Sequence, residues 1–159
     1  KNLYHQRGFR LMPKQLFGLM LTILTAASPL SAAEYGTAEE AKAMLDKVVA
    51  AMKADEAKAL SMFSNGEGGF KDRDLYPYCV GPDGIFSAHP TLTGTDATAL
   101  KDKAGEPVGQ KVIDAANTKP GDVVEVSYVW TRPGETTPVE KVAFVTKIGE
   151  QICAVGYYK

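Results

Sequence analysis

The stretch from Asp74 to Pro90 constrains this chain more than any other. Two short runs rich in aromatic and β-branched residues, Leu75-Tyr76-Pro77-Tyr78-Cys79-Val80 and Ile85-Phe86-Ser87-Ala88-His89, flank Pro82-Asp83-Gly84. Pro presets φ near −65°, Asp closes a local side-chain turn and Gly accepts positive φ, so the segment reads as a β-hairpin. Alternation predicts Tyr76, Tyr78 and Val80 on one face of the first strand, with Leu75 and Cys79 on the other. It predicts Ile85, Ser87 and His89 on one face of the second strand, opposite Phe86 and Ala88. Large side chains on both faces belong inside a covered sheet. Tyrosine hydroxyls beside a histidine are the wall of a small polar pocket.

The first 33 residues are set apart from that fold. They carry Lys1, Arg7, Arg10 and Lys14 and no acid, then an uncharged run from Leu16 to Ala33 with Pro29 near its end and Ser31 and Ala33 at its close. A basic start, an apolar middle and small residues at the −3 and −1 positions make a secretory signal peptide, so residues 1–33 are expected to be removed, with Met12 as an alternative start and 1–11 upstream of it. The competing reading is a retained membrane anchor, at the short limit of a span.

Without the leader, 14 Lys and Arg remain against 19 Asp and Glu, a net charge of −5. The bases are scattered, which argues against nucleic acid as a partner. With 45% hydrophobic and 23% charged residues, the remainder has the composition of one globular domain, 34–159. Cys79 and Cys153 would meet an oxidising compartment, where they are either a disulfide or two buried thiols. They lack metal-ligand spacing. No Gly-x-Ser-x-Gly elbow or phosphate-cradling loop is present, His89 is the one histidine outside the leader, and no cofactor is expected.

Thr37-Ala38-Glu39-Glu40 is a capping box, and Ala41, Met44, Leu45, Val48 and Met52 follow at helical spacing. A break at Ala54-Asp55-Glu56 precedes a second, shorter helix. Between His89 and Asp122 lies a crossover with one short helix predicted over Val108–Ala116, the segment in which a compact domain builds a pocket or lid. Three strands complete the chain: Val123–Thr131, with Val124, Val126, Tyr128 and Trp130 alternating; Val139–Ile148; and Gln151–Tyr158. A hairpin, a helical crossover and three antiparallel strands make an α+β domain with five strands.

That order of parts resembles the single Cache domain, an extracellular sensor module related in fold to PAS domains. The resemblance rests on Asp74-Leu75-Tyr76, Asp83-Gly84, Ala88-His89-Pro90, Leu92-Thr93-Gly94-Thr95-Asp96, Leu100-Lys101-Asp102, Tyr128-Val129-Trp130, Lys141, Phe144-Val145 and Ala154-Val155-Gly156-Tyr157-Tyr158. It implies a PAS-like five-stranded antiparallel sheet, a long N-terminal helix on one face, and a pocket on the other closed by the crossover. It also implies a periplasmic sensor for a small polar metabolite, often a carboxylate. The chain closes at Lys159, so it is expected to act without its own output domain. In the PAS-like strand order the first and last strands are neighbours, which would bring Cys79 beside Cys153. Pro77 departs from the pattern, because it removes a donor from a strand that should be central.

The residues assigned to the site are Tyr76, Tyr78, His89, Leu92, Asp102, Tyr128, Trp130 and Lys141. His89 either donates to a ligand carboxylate or bonds the backbone where its strand ends. Lys141 lies among apolar strand positions, so its ammonium meets either a ligand's charge or an acid such as Asp102. The tyrosines and Trp130 are aromatic walls with polar tips or plain core. Leu92 closes the apolar side, and Asp102 contacts the ligand or organises its loop. Two other functions compete: a ligand-free interaction protein that modulates a membrane receptor or kinase, with a homodimer through the N-terminal helix, and a small secreted enzyme built on His89 and Asp102.

Overall fold

The computed structural model describes residues 34–159; the expected leader, with its apolar core and the start at Met12, lies outside the described residues. Helix α1 (Ala38–Ala54) opens on a reciprocal cap. Thr37 Oγ1 accepts from the Glu40 amide at 3.2 Å, and a Glu40 carboxylate oxygen accepts from the Thr37 amide at 2.9 Å. Its buried stripe is Ala41, Met44, Leu45, Val48 and Met52, the helical spacing read from the sequence. Asp55, in extended backbone, ends α1 and caps α2 (Glu56–Asn65) by accepting from the Lys58 amide.

The strands are β1 (Pro77–Val80), β2 (Phe86–Ala88), β3 (Val124–Thr131), β4 (Pro138–Ile148) and β5 (Gln151–Tyr158), with α3 (Val108–Thr118) between β2 and β3. They form one antiparallel sheet in the order β2-β1-β5-β4-β3. The expected α+β, PAS-like architecture is the one observed. Strand β5 lies at the centre and is buried along nearly its whole length, as a strand covered on both faces must be. Pro77 stands first in β1, the position where a strand tolerates a missing donor.

Each face of the sheet has its own core. Leu45, Val48, Phe63, Leu75, Cys79, Cys153 and Val155 pack beneath α1 and α2. Tyr76, Tyr78, Val80, Phe86, Val126, Val145 and Ala154 face α3, which adds Val108, Val112 and Ala116. Cys79 and Cys153 stand opposite one another in the β1–β5 register and are joined by a disulfide, with Cα atoms 4.1 Å apart.

One predicted face is corrected. The β1–β2 register slips between Cys79↔Ala88 and Val80↔Phe86, so two residues of β2 span a single step of β1. This bulge turns Phe86 onto the α3 face with His89, while Ala88 joins the core on the α1–α2 face. Simple alternation had opposed Phe86 to His89.

The crossover covers both sheet edges. At β2, the Phe86 amide donates to the Thr95 carbonyl and the Gly94 amide to the Phe86 carbonyl. At β3, the Lys103 amide donates to the Val129 carbonyl and the Val129 amide to the Asp102 carboxylate. Edges satisfied in this way offer no ladder to another chain at these positions.

Candidate functional site

A cavity lies between the sheet and α3. It is lined by Tyr76, Tyr78, Val80, Phe86, His89, Leu92, Ala97, Leu100, Val108, Gly109, Val112, Tyr128 and Trp130. Its accessible volume is about 30 Å³, room for roughly two waters. Six of the residues assigned from the sequence meet here: Tyr76, Tyr78, His89, Leu92, Tyr128 and Trp130. Phe86 and the individual α3 residues Val108, Gly109 and Val112 were not assigned, although the resemblance had put the crossover on this face. The helical spacing of Val108 and Val112 announced an amphipathic helix, but nothing local said which sheet face it covers.

His89 is held by its own loop. Its Nδ1 accepts from the amides of Thr91 at 3.0 Å and Leu92 at 3.1 Å, and its carbonyl accepts from the Thr93 hydroxyl. An accepting Nδ1 puts the neutral ring's proton on Nε2. The ring packs against Tyr76, Tyr78 and Phe86. Burial, and secondarily the Lys141 charge, push its pKa down to about 4. At neutral pH His89 is therefore an uncharged donor on the cavity wall.

Lys141 is 1% exposed and stands behind that wall rather than on it. Its Nζ donates to the Tyr76 hydroxyl at 2.9 Å and the Tyr158 hydroxyl at 3.3 Å, and it lies over both rings. Gly156 makes this placement possible: a β-carbon there would sit 2.5 Å from Lys141 Cε. Burial lowers the ammonium's pKa, while Tyr76 and then Asp74 act the other way. No carboxylate among the described residues forms an ion pair with it. The Tyr158 hydroxyl donates its own hydrogen bond to the Thr131 carbonyl. Tyr76 accepts from Lys141, so its O–H is left to donate, toward the Tyr158 oxygen or into the cavity. Burial raises the pKa values of Tyr78 and Tyr128, whose hydroxyls are near enough to influence one another, and keeps both as neutral donors.

Asp102 is placed elsewhere. Its carboxylate accepts from the amides of Ala104, Glu106 and Val129, and these bonds, Val129's first, hold its pKa down. It fastens the crossover to β3 and neither lines the cavity nor pairs with Lys141, because its oxygens are already spent on backbone. No hydrogen bond joins it to His89 among the described residues. Lys103 lies over the Trp130 ring at the cavity's β3 side. Among the described residues no cluster of His, Cys, Asp and Glu could hold a metal ion, and no helix is long and apolar enough to cross a membrane.

The family profile described as Single Cache domain 2 matches residues 12–156. No curated protein matches the chain. Among solved structures, a methyl-accepting chemotaxis protein from Vibrio parahaemolyticus RIMD 2210633 is 22% identical, with a TM-score of 0.61 over 76% of this chain and 86% of that one. A Cache chemosensory domain described for carboxylic acid recognition is 23% identical, with a TM-score of 0.57 over 76% and 86%. A periplasmic sensor domain of a chemotaxis protein is 23% identical, with a TM-score of 0.56 over 76% and 88%. At these identities the likenesses establish the fold.

Proposed function

The chain belongs to the single Cache family, and on that premise we propose that its cavity binds a small monocarboxylate as the input of a periplasmic sensor. Cache domains are extracellular or periplasmic sensory modules that bind small molecules. The observation that carries the finer reading is Lys141, a fully buried ammonium with no ion-paired acid, standing one hydroxyl away from the cavity. An unpaired buried charge costs several kcal/mol. A carboxylate on the Tyr76 hydroxyl would offset that cost through the Lys141–Tyr76 hydrogen bond. His89 Nε2–H and the Tyr78 and Tyr128 hydroxyls supply further donors.

The rest of the lining sets the class. Val80, Phe86, Leu92, Leu100, Val112 and Trp130 suit a short aliphatic tail, and no Asp or Glu lines the cavity to receive an ammonium. Amines and amino acids are therefore disfavoured, and the small volume favours the shortest chains. The solved relative described for carboxylic acid recognition supports the same class. We place the chain in a sensing role without catalysis, working with a membrane receptor.

A thermal-shift series against acetate, propionate, glycine and ethylamine tests this. A carboxylate at 100 times its dissociation constant should stabilise the fold by about 2.7 kcal/mol, and the amine should not. Lys141→Met keeps the side chain's length without its charge, so the variant should fold and lose the shift. His89→Gln should weaken it. A Lys141→Met protein that still responds to propionate sinks the site as described. A panel with no response moves the choice to a ligand-free interaction protein.

A further inference from the structure

Beyond the cavity, the buried contacts continue from Lys141 to the residues that lead into α1. Asp74 is 4% exposed, and one of its oxygens, Oδ1, accepts from the Gly36 amide at 2.7 Å. Gly36 fits there because it has no side chain; a β-carbon would collide with Leu75. Tyr35, just before it, lies under the Arg132 guanidinium at 4.2 Å and donates to Glu135. The other Asp74 oxygen, Oδ2, is 3.5 Å from Arg132 Nε, and neither of these two buried atoms has a hydrogen-bond partner among the described residues. Asp74 also acts electrostatically on Lys141, and Arg132 lies over the Tyr158 ring, whose hydroxyl accepts from Lys141.

A buried carboxylate and guanidinium this close, each with an unspent polar atom, are not at their best geometry. Asp74 is ion-paired with Arg132 alone and reaches Lys141 only through its field and through the Tyr158 ring that Arg132 covers. An anion in the cavity would satisfy Lys141 and release Asp74 toward Arg132, where a charge-assisted hydrogen bond could form. The same carboxylate holds Gly36. We propose that Asp74 is a positioning residue that couples occupancy of the cavity to the docking of residues 35–37 ahead of α1, with the Asp74–Arg132 pair as the element that has two arrangements. This rests on the anion-binding reading above. Coupling through such an element is reciprocal, so loosening residues 35–37 must weaken anion binding by the factor that the anion tightens them.

Hydrogen exchange of the full chain, with and without saturating propionate, tests the coupling, while calorimetric titration of propionate reports binding separately. Exchange of the Gly36 and Thr37 amides should slow about five-fold or more on binding. Asp74→Asn, or Arg132→Met should the first variant fail to fold, should still bind propionate but lose that slowing. Gly36→Ala, which alters no charge, should weaken propionate by about the same factor. Binding with unchanged exchange at residues 35–37 overturns the coupling alone. A wild-type chain that does not bind propionate overturns the coupling together with the site. Slowing that survives in both Asp74→Asn and Arg132→Met overturns the role of the pair.

Discussion

The two faces of the sheet are built differently, although they share every strand. Beneath α1 and α2 the side chains are apolar and closely interlocked, from Leu45 and Val48 to Phe63, and the Cys79–Cys153 bond crosses the middle. Beneath α3 the same strands present Tyr76, Tyr78, Tyr128 and His89, with Lys141 behind them and a small cavity left between. A close-packed apolar face contributes stability and has nothing to recognise. A face that retains donors and space gives up some packing so that a polar guest can supply what is missing. Division of labour across one sheet predicts that changes on the first face cost stability without touching the ligand response, and that changes on the second alter the ligand response whatever they cost in stability.

The largest expected effect is on the close-packed face. Replacing both Cys79 and Cys153 by Ala opens a loop of 74 residues and should cost about 4 kcal/mol in urea denaturation. The propionate-induced shift should survive wherever the variant is folded. Loss of the shift in a folded double variant would break the division between faces. Alkylation of the unreduced, denatured wild type should label neither thiol.

Next is the pH response of the cavity face. The unfolded chain takes up the His89 proton near pH 6.5, whereas the folded chain resists it until about pH 4. The unfolded state therefore binds more protons between these values, and stability falls as pH drops through that window. The term is fully present above pH 6.5, and its loss amounts to about 3 kcal/mol. Denaturation of wild type and His89→Gln at pH 7, 5.5 and 4 isolates it from the carboxylates, which both proteins share. Parallel pH curves would show that burial does not hold His89 neutral.

Gly156→Ala is a smaller change with effects on both measurements. The added methyl must displace Lys141, at about 2 kcal/mol for overpacking. The propionate shift should fall more than the melting temperature alone would require. An unchanged affinity would mean that the position of Lys141 does not matter to the guest.

The smallest effect returns to the first face. Asp55→Ala removes the α2 cap and should cost about 1 kcal/mol, with the propionate shift unchanged. A changed shift would show that the two faces are coupled more broadly than through Asp74.

Local chemistry made much of this legible in advance. The Thr37–Glu40 cap, the stripe from Ala41 to Met52, the break at Asp55 and the alternation of Val126, Tyr128 and Trp130 follow from hydrogen-bond geometry and side-chain period within a few residues. Six of the eight assigned site residues reach the cavity because alternation and short-range turns already placed them on one face. Tertiary structure alone decided the rest. The bulge that sends Phe86 to join His89 depends on how β2 registers against β1, a partner whose identity no local spacing reveals. Which face α3 would cover depends on the whole crossover. Lys141 lies beneath Tyr76 and Tyr158 only because Gly156, across the strand pair, leaves the space. Asp102 is lost to the site because it serves the amide of Val129, 27 residues away along the chain. Periodicity is a property of a segment, whereas register, clearance and the spending of a buried carboxylate are properties of pairs, and those pairs exist only once the sheet has closed.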